Sequence, residues 1–419
     1  MSEVEGGAGA GPPEDNPFAA LFGGSAPDLG AALHRLGDLL SSTTGPVNWQ
    51  LARESALQAA GASDPGTTAG DTERVAAAVE LADHWLDPVT TLPSGVTASE
   101  AWSRRRWVEA TLPAWTTLVD PVASRVVEAM GGALPEEMQA MAGPLLGVMR
   151  QVGGVMFGAQ VGQALGQLAN EVLSATDIGL PLGPAGRAAL VPVNVAGFGS
   201  GLGIPEEEVR IFLALREAAH HRLFQHVPWL RAHLFDTVER YAREITIDTS
   251  ALEEAMREVD PSDPEAVQRV LGGGLFEPQA TPSQQAALRR LETALALVEG
   301  WVDEVVGAAA GEHLPAAAAL RESVRRRRAA GGPAEQTFAT LVGLELRPRR
   351  LRDAALLWAS LAAARGVDGR DAIWGHPDLL PGPEDLDDPT RFADRAGGAG
   401  GPSALDLSAL TDEEPPGDG

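Results

Sequence analysis

The sequence predicts a mainly α-helical protein with one large helical core and at most a small β element. Three observations carry this. Helix-start signals of the Ser/Thr-x-x-Asp/Glu/Gln kind recur along the chain. Behind most of them, apolar residues repeat three and four apart instead of alternating. Runs rich in β-branched residues are few and short. At 419 residues the chain has ample material for such a core. It shows no internal repeat of fixed period.

Residues 1–15 are Gly, Pro and acid, and read as a disordered acidic tail. Ser25-Ala-Pro-Asp28 reads as a capping box before Leu29, Leu33, Leu36 and Leu40. Residues 60–70 form a loop of small residues. A helix is expected over residues 71–86, with Val75, Val79, Ala82 and Leu86 on one face. Thr97-Ala-Ser-Glu100 reads as another capping box, opening a helix that carries Val108, Leu112 and Trp115. The Arg104-Arg-Arg106 triplet beside Trp102 and Trp107 reads as solvated arginines over packed tryptophans.

Residues 135–173 read as one long helix or a broken pair. Gly154, Gly158, Gly162 and Gly166 recur every four residues, a smooth stripe that lets another backbone approach. Residues 151–170 carry no charge, but five Gln and Asn amides there would lack partners in lipid. The stretch therefore reads as a buried helix and not as a membrane span. Gly179-Leu-Pro-Leu-Gly-Pro-Ala-Gly186 is a turn cluster without phosphate-loop spacing. Residues 189–195 are the best candidate for a short strand.

Further caps are read at Ser250-Ala-Leu-Glu253, Ser262-Asp-Pro-Glu265 and Thr281-Pro-Ser-Gln284. The last opens a helix to about Ala310. Its stripe is Leu288, Leu291, Leu295, Val298, Val302 and Val306, flanked by Glu292, Glu299 and Asp303. Arg325 to Arg328 reads as a basic last turn suited to the helix dipole. Helices are expected over residues 333–344 and 351–364. From Ala393 the chain turns Gly-rich, then acidic, and reads as a flexible tail. Within it, residues 404–410 read as solvated tail more readily than as a docking peptide. Residues 16–392 are then one domain.

Composition narrows the function classes. The net charge of −26 disfavours nucleic acid and anionic membranes as partners. All 32 cationic residues are arginine, and there is no cysteine, so no disulfide or thiolate site exists. No basic region followed by an apolar run opens the chain, and a cytoplasmic location is the expectation.

Chemistry concentrates on the segment after Pro205. Four of the eight histidines fall between His220 and His233. Pro205 and three following glutamates suit a helix N-terminus. At about 100° per residue, Val209, Phe212, Leu213, Leu223 and Phe224 share one face. Arg216 and His220 sit near the middle of that face, Glu217 at its edge, and His221 outside it. Ionisable groups aimed at a core need partners or a metal. A His-Glu-x-x-His helix binds zinc through two histidines one turn apart and uses the glutamate to activate water. Here the pattern is Arg216-Glu217-Ala-Ala-His220: the base and second ligand are present, and the first ligand is arginine.

The chain resembles the zincin-like hydrolase family of GC-rich bacteria. Besides the helix, the resemblance lies in Gly45-Pro-Val-Asn-Trp49, Trp107-Val-Glu-Ala-Thr-Leu-Pro113, Phe157-Gly-Ala-Gln160, His226-Val-Pro-Trp229, Glu299-Gly-Trp-Val-Asp303 and Phe338-Ala-Thr-Leu-Val-Gly-Leu-Glu345. It implies a zincin-like fold and a zinc-dependent metallopeptidase-like hydrolase acting on a peptide or protein. It also implies Glu217 as catalytic base, with His220 and Glu299 as metal ligands. His221, His226 or Asp303 would then replace the missing ligand.

A second reading is a degenerate site on a scaffold or partner-binding protein. Arginine stays charged and cannot ligate zinc. Its guanidinium is expected to pair with Glu299 or Asp303 instead. A di-iron bundle site wants a second Glu-x-x-His, and a serine hydrolase wants Gly-x-Ser-x-Gly. Neither is present.

Overall fold

The structure, a computed structural model, describes residues 45–61, 63–132, 143–243, 281–329 and 350–398. The expected helices over residues 29–40 and 333–344, the caps at Ser250 and Ser262, and residues 404–410 lie outside the described residues. Among the described residues are twelve α-helices and one two-stranded sheet. The mainly helical expectation holds.

The first four helices are α1 (Trp49–Gly61), α2 (Ala69–Leu86), α3 (Arg104–Gly132) and α4 (Gly143–Ala169). Thr68 and Asp71 form a true capping box that starts α2. The glycine stripe of α4 does what its spacing suggests. A Cβ added to Gly158 or Gly162 would lie 2.5 Å from Asn48 O or Ala52 O of the α1 segment. Only bare backbone permits that approach. No described helix is long and apolar enough to cross a membrane.

Two expectations fail around the sheet. Thr97 to Glu100 does not cap a helix: β1 (Ala98–Ala101) occupies that stretch, and α3 begins only after Ser103. Strand β1 pairs in parallel with β2 (Arg187–Leu190), Ala98 opposite Arg187. The partner lies almost ninety residues away, so no local pattern reveals it. The strand expected over residues 189–195 ends at Leu190, because Pro192 opens the short helix α5 (Pro192–Gly199).

The centre of the molecule is α6 (Glu206–His226), in which Ile211 to Leu223 are all buried. Helix α7 (Leu230–Arg243) follows. Thr281 caps α8 (Pro282–Ala310) by accepting from Gln284 N at 3.1 Å. Then come α9 (Ala317–Ala329) and α10 (Leu351–Asp371). The long α8 packs against both α6 and α10. Gly300 makes the second contact possible, since a Cβ there would sit 2.6 Å from Ala354 Cβ. Trp358 and Trp374 stack beside it with ring centroids 5.2 Å apart. Two short helices, α11 (Pro383–Asp387) and α12 (Pro389–Gly398), close the described chain. Helix α12 takes in the start of the stretch expected to be tail, and buries Ala393.

Candidate functional site

Helix α6 is enclosed on all sides, so its polar residues are forced to find internal partners. Residues one turn apart share a direction. Arg216 and His220 meet α8, whereas Glu217 and His221 meet the sheet. His221, expected outside the buried face, is only 5% exposed because β2 and its loop cover that side too.

The first group centres on Glu299. Arg216 Nη2 donates to Glu299 Oε2 at 2.6 Å. Arg328 Nη2, from the end of α9, lies 3.0 Å from Oε1. His220 Nε2 also lies 3.0 Å from Oε1, and His220 Nδ1 lies 2.8 Å from the Arg216 carbonyl. Both ring nitrogens of His220 therefore face oxygen atoms. Burial alone would raise the Glu299 carboxyl. The charges of Arg328, His220 and Arg216 outweigh that and hold it far below the usual glutamate range. Gly179, at φ +77°, brings the 174–180 loop over the cluster: a Cβ there would meet Glu299 Oε1 at 2.6 Å.

The second group centres on Glu217, which is fully buried. Thr176 donates to its Oε2 twice, from N at 3.1 Å and from Oγ1 at 2.5 Å. Ala189 N of β2 donates to Oε1 at 3.0 Å, and His221 Nε2 to the same oxygen at 3.2 Å. The segment before Thr176 already pairs with β2 on that side, through Ala175 N to Ala189 O at 3.0 Å and Val191 N to Leu173 O at 2.9 Å. The carboxylate thus continues the ladder where the two segments part. Burial would raise this carboxyl as well, but His221, Thr176 and Ala189 together hold it low.

The other candidates lie apart. Asp303 pairs with Arg321 and Arg325, each at 2.6 Å or less. His226 is exposed, and its Nε2 donates to Ser94 O at 3.1 Å. The basic run 325–328 does sit at the end of α9, and it also makes buried contacts that the dipole reading does not include. Besides Arg325, Arg327 reaches Asp177 at 2.9 Å, and Arg328 reaches both Glu299 and the Asp177 carbonyl. Arg328, Thr176 and Gly179 were missed as site residues. Arginines at a helix end are accounted for by the helix dipole, and a turn cluster gives no sign of what it covers.

A family model for zincin-like metallopeptidases matches residues 47–393. The chain belongs to the zincin-like metallopeptidase family. None of the curated proteins matches the chain. Among solved structures it is similar to a Chloroflexus aurantiacus protein described as "a putative hydrolase with a novel fold". The identity is 22% and the TM-score 0.60, over 84% of this chain and 100% of that one. That likeness concerns the fold.

The family implies zinc, and the residues of this zincin-like protein do not fit it as placed. Among the described residues, no group of three or more His, Asp or Glu side chains is arranged to hold a metal ion. His220 and Glu299 are the only two candidate ligands in contact with each other. Both oxygens of Glu299 are taken by Arg216, Arg328 and His220, and both nitrogens of His220 are taken up by oxygen partners in this geometry. A zinc ligand must offer a free lone pair.

Proposed function

We propose that this chain is a zincin-like protein that has exchanged the family's metal chemistry for a buried charge cluster, and that it acts by binding and not by zinc-dependent peptide hydrolysis. One observation carries the reading: Glu299 is paired on Oε2 by Arg216 and on Oε1 by Arg328 and His220. Two guanidinium groups and an imidazole around one carboxylate meet the electrostatic demand that a divalent ion would otherwise meet.

The strand side supports the same reading. A catalytic glutamate must reach the attacking water. Glu217 instead accepts four hydrogen bonds from Thr176, Ala189 and His221. The β2 edge that faces α6 is already paired, by residues 173–175 and by Glu217 itself. It offers no open backbone for a substrate strand to extend.

Elemental analysis of the purified protein, with casein hydrolysis measured with and without a chelator, tests this. The expected result is substoichiometric zinc and no chelator-sensitive activity. Stoichiometric zinc, with hydrolysis abolished by Glu217→Gln, would overturn it and make Glu217 the base of a working enzyme.

A further inference from the structure

Glu217 and His221 form a second polar pair on α6, turned away from Glu299. Glu217 Oε1 already accepts from Ala189 N at 3.0 Å, so the hydrogen between it and the imidazole belongs to His221 Nε2. The opposite ring nitrogen, Nδ1, is buried and has no hydrogen-bond partner among the described residues. A fixed imidazole with one nitrogen committed and the other unsatisfied is a poor structural element, because a buried polar atom without a partner is costly.

His221 lines a cavity of about 100 Å³ beneath the 181–185 loop, with Phe224, Pro181 and Arg231 among the other walls. Arg231 is held in place. Its Nη1 donates to Pro181 O at 2.7 Å, and its guanidinium lies 4.8 Å from the Phe235 ring centre. No described carboxylate pairs with it. In a chain of net charge −26, a guanidinium with no carboxylate partner and an unsatisfied imidazole nitrogen on the wall of one cavity mark a place for a complementary ligand.

We propose that this cavity binds a small carboxylic acid bearing a hydroxyl on the neighbouring carbon. Arg231 takes the carboxylate, the ligand geometry guanidinium suits best. His221 Nδ1 accepts the hydroxyl hydrogen, and Phe224 and Pro181 cover the carbon skeleton. The cavity is small, and a three-carbon acid is the probe chosen for it. The site is independent of zinc at Glu299.

Titration of the full-length protein with L-lactate and with propionate tests this. Propionate has the same skeleton without the hydroxyl. Calorimetry and histidine ring ¹⁵N shifts give the readouts. L-lactate is expected to bind about fivefold more tightly, as one neutral hydrogen bond predicts, and to move the His221 Nδ1 resonance. His221→Phe should reduce lactate to the affinity of propionate, and Arg231→Gln should weaken both acids. Arg231 is exposed, so its variant decides the matter if the His221 variant does not fold. Equal affinities with an unmoved His221 resonance, or no saturable binding of either acid, would overturn the proposal.

Discussion

Arg216 Nη2 and Glu299 Oε2 lie 2.6 Å apart, joining two buried residues 83 positions distant in sequence. The pair is asymmetric. Without Arg216, Glu299 keeps Arg328 and His220. Without the Glu299 charge, Arg216 and Arg328 face one another with no carboxylate between them. Arg216→Met should therefore cost about 1–3 kcal/mol, the range for a lost charged hydrogen bond. Glu299→Gln should cost more, about 3–5 kcal/mol, as when one partner of a buried pair is removed. Denaturant unfolding of both variants gives the order, and a larger loss for Arg216→Met would contradict the geometry.

The acid limb of stability follows from the same groups. The folded pKa values of Glu299, Glu217, Asp303 and Asp177 all lie below their ordinary ones. Burial opposes this in each case, and adjacent cations or hydrogen-bond donors override it. A depressed folded value means stability that is present above the unfolded pKa and is lost as pH falls through the folded one. Melting temperature should stay level down to about pH 5 and drop steeply below about pH 4. Below about pH 4, Glu299→Gln should lose less with falling pH than the wild type, measured by thermal unfolding across the range.

Glu217→Gln tests the anchoring role. Glutamine offers one acceptor oxygen to the donors from Thr176, Ala189 and His221, and its own NH₂ faces N–H groups. The expected cost is about 1–3 kcal/mol, with faster amide exchange at Ala189 and Thr176. Unchanged exchange at both amides would show that the carboxylate does not hold the strand.

Gly179→Ala probes the loop over the cluster. The position has φ +77°, and the new Cβ would meet Glu299 Oε1 at 2.6 Å. The backbone term alone is about 1–2 kcal/mol. A loss in that range or above, seen as a lowered melting temperature, is expected.

The sequence shows some of these features and hides others for physical reasons. Helices α6 and α8 are legible because caps and 3.6-residue periodicity are local, and their charged edges at Arg216, His220 and Glu299 stand out against apolar stripes. The burial of His221 is hidden, since a helical wheel finds one buried face and α6 is covered on all of them. Strand β1 is hidden because its pairing with β2 is non-local. Arg328 is hidden because one member of an arginine run looks like its neighbours, although Arg326 reaches only the nearby Glu322 while Arg328 reaches Glu299.

The most direct test of the central claim is calorimetric titration with zinc of the wild type and of Arg216→His/Arg328→Gln. The double variant supplies an imidazole one turn before His220 and frees Glu299 Oε1 from its second guanidinium. The account predicts no stoichiometric binding by the wild type. In the double variant it predicts binding that raises the melting temperature with zinc concentration and is lost with His220→Ala. Tight stoichiometric binding by the wild type, abolished by His220→Ala, would contradict it.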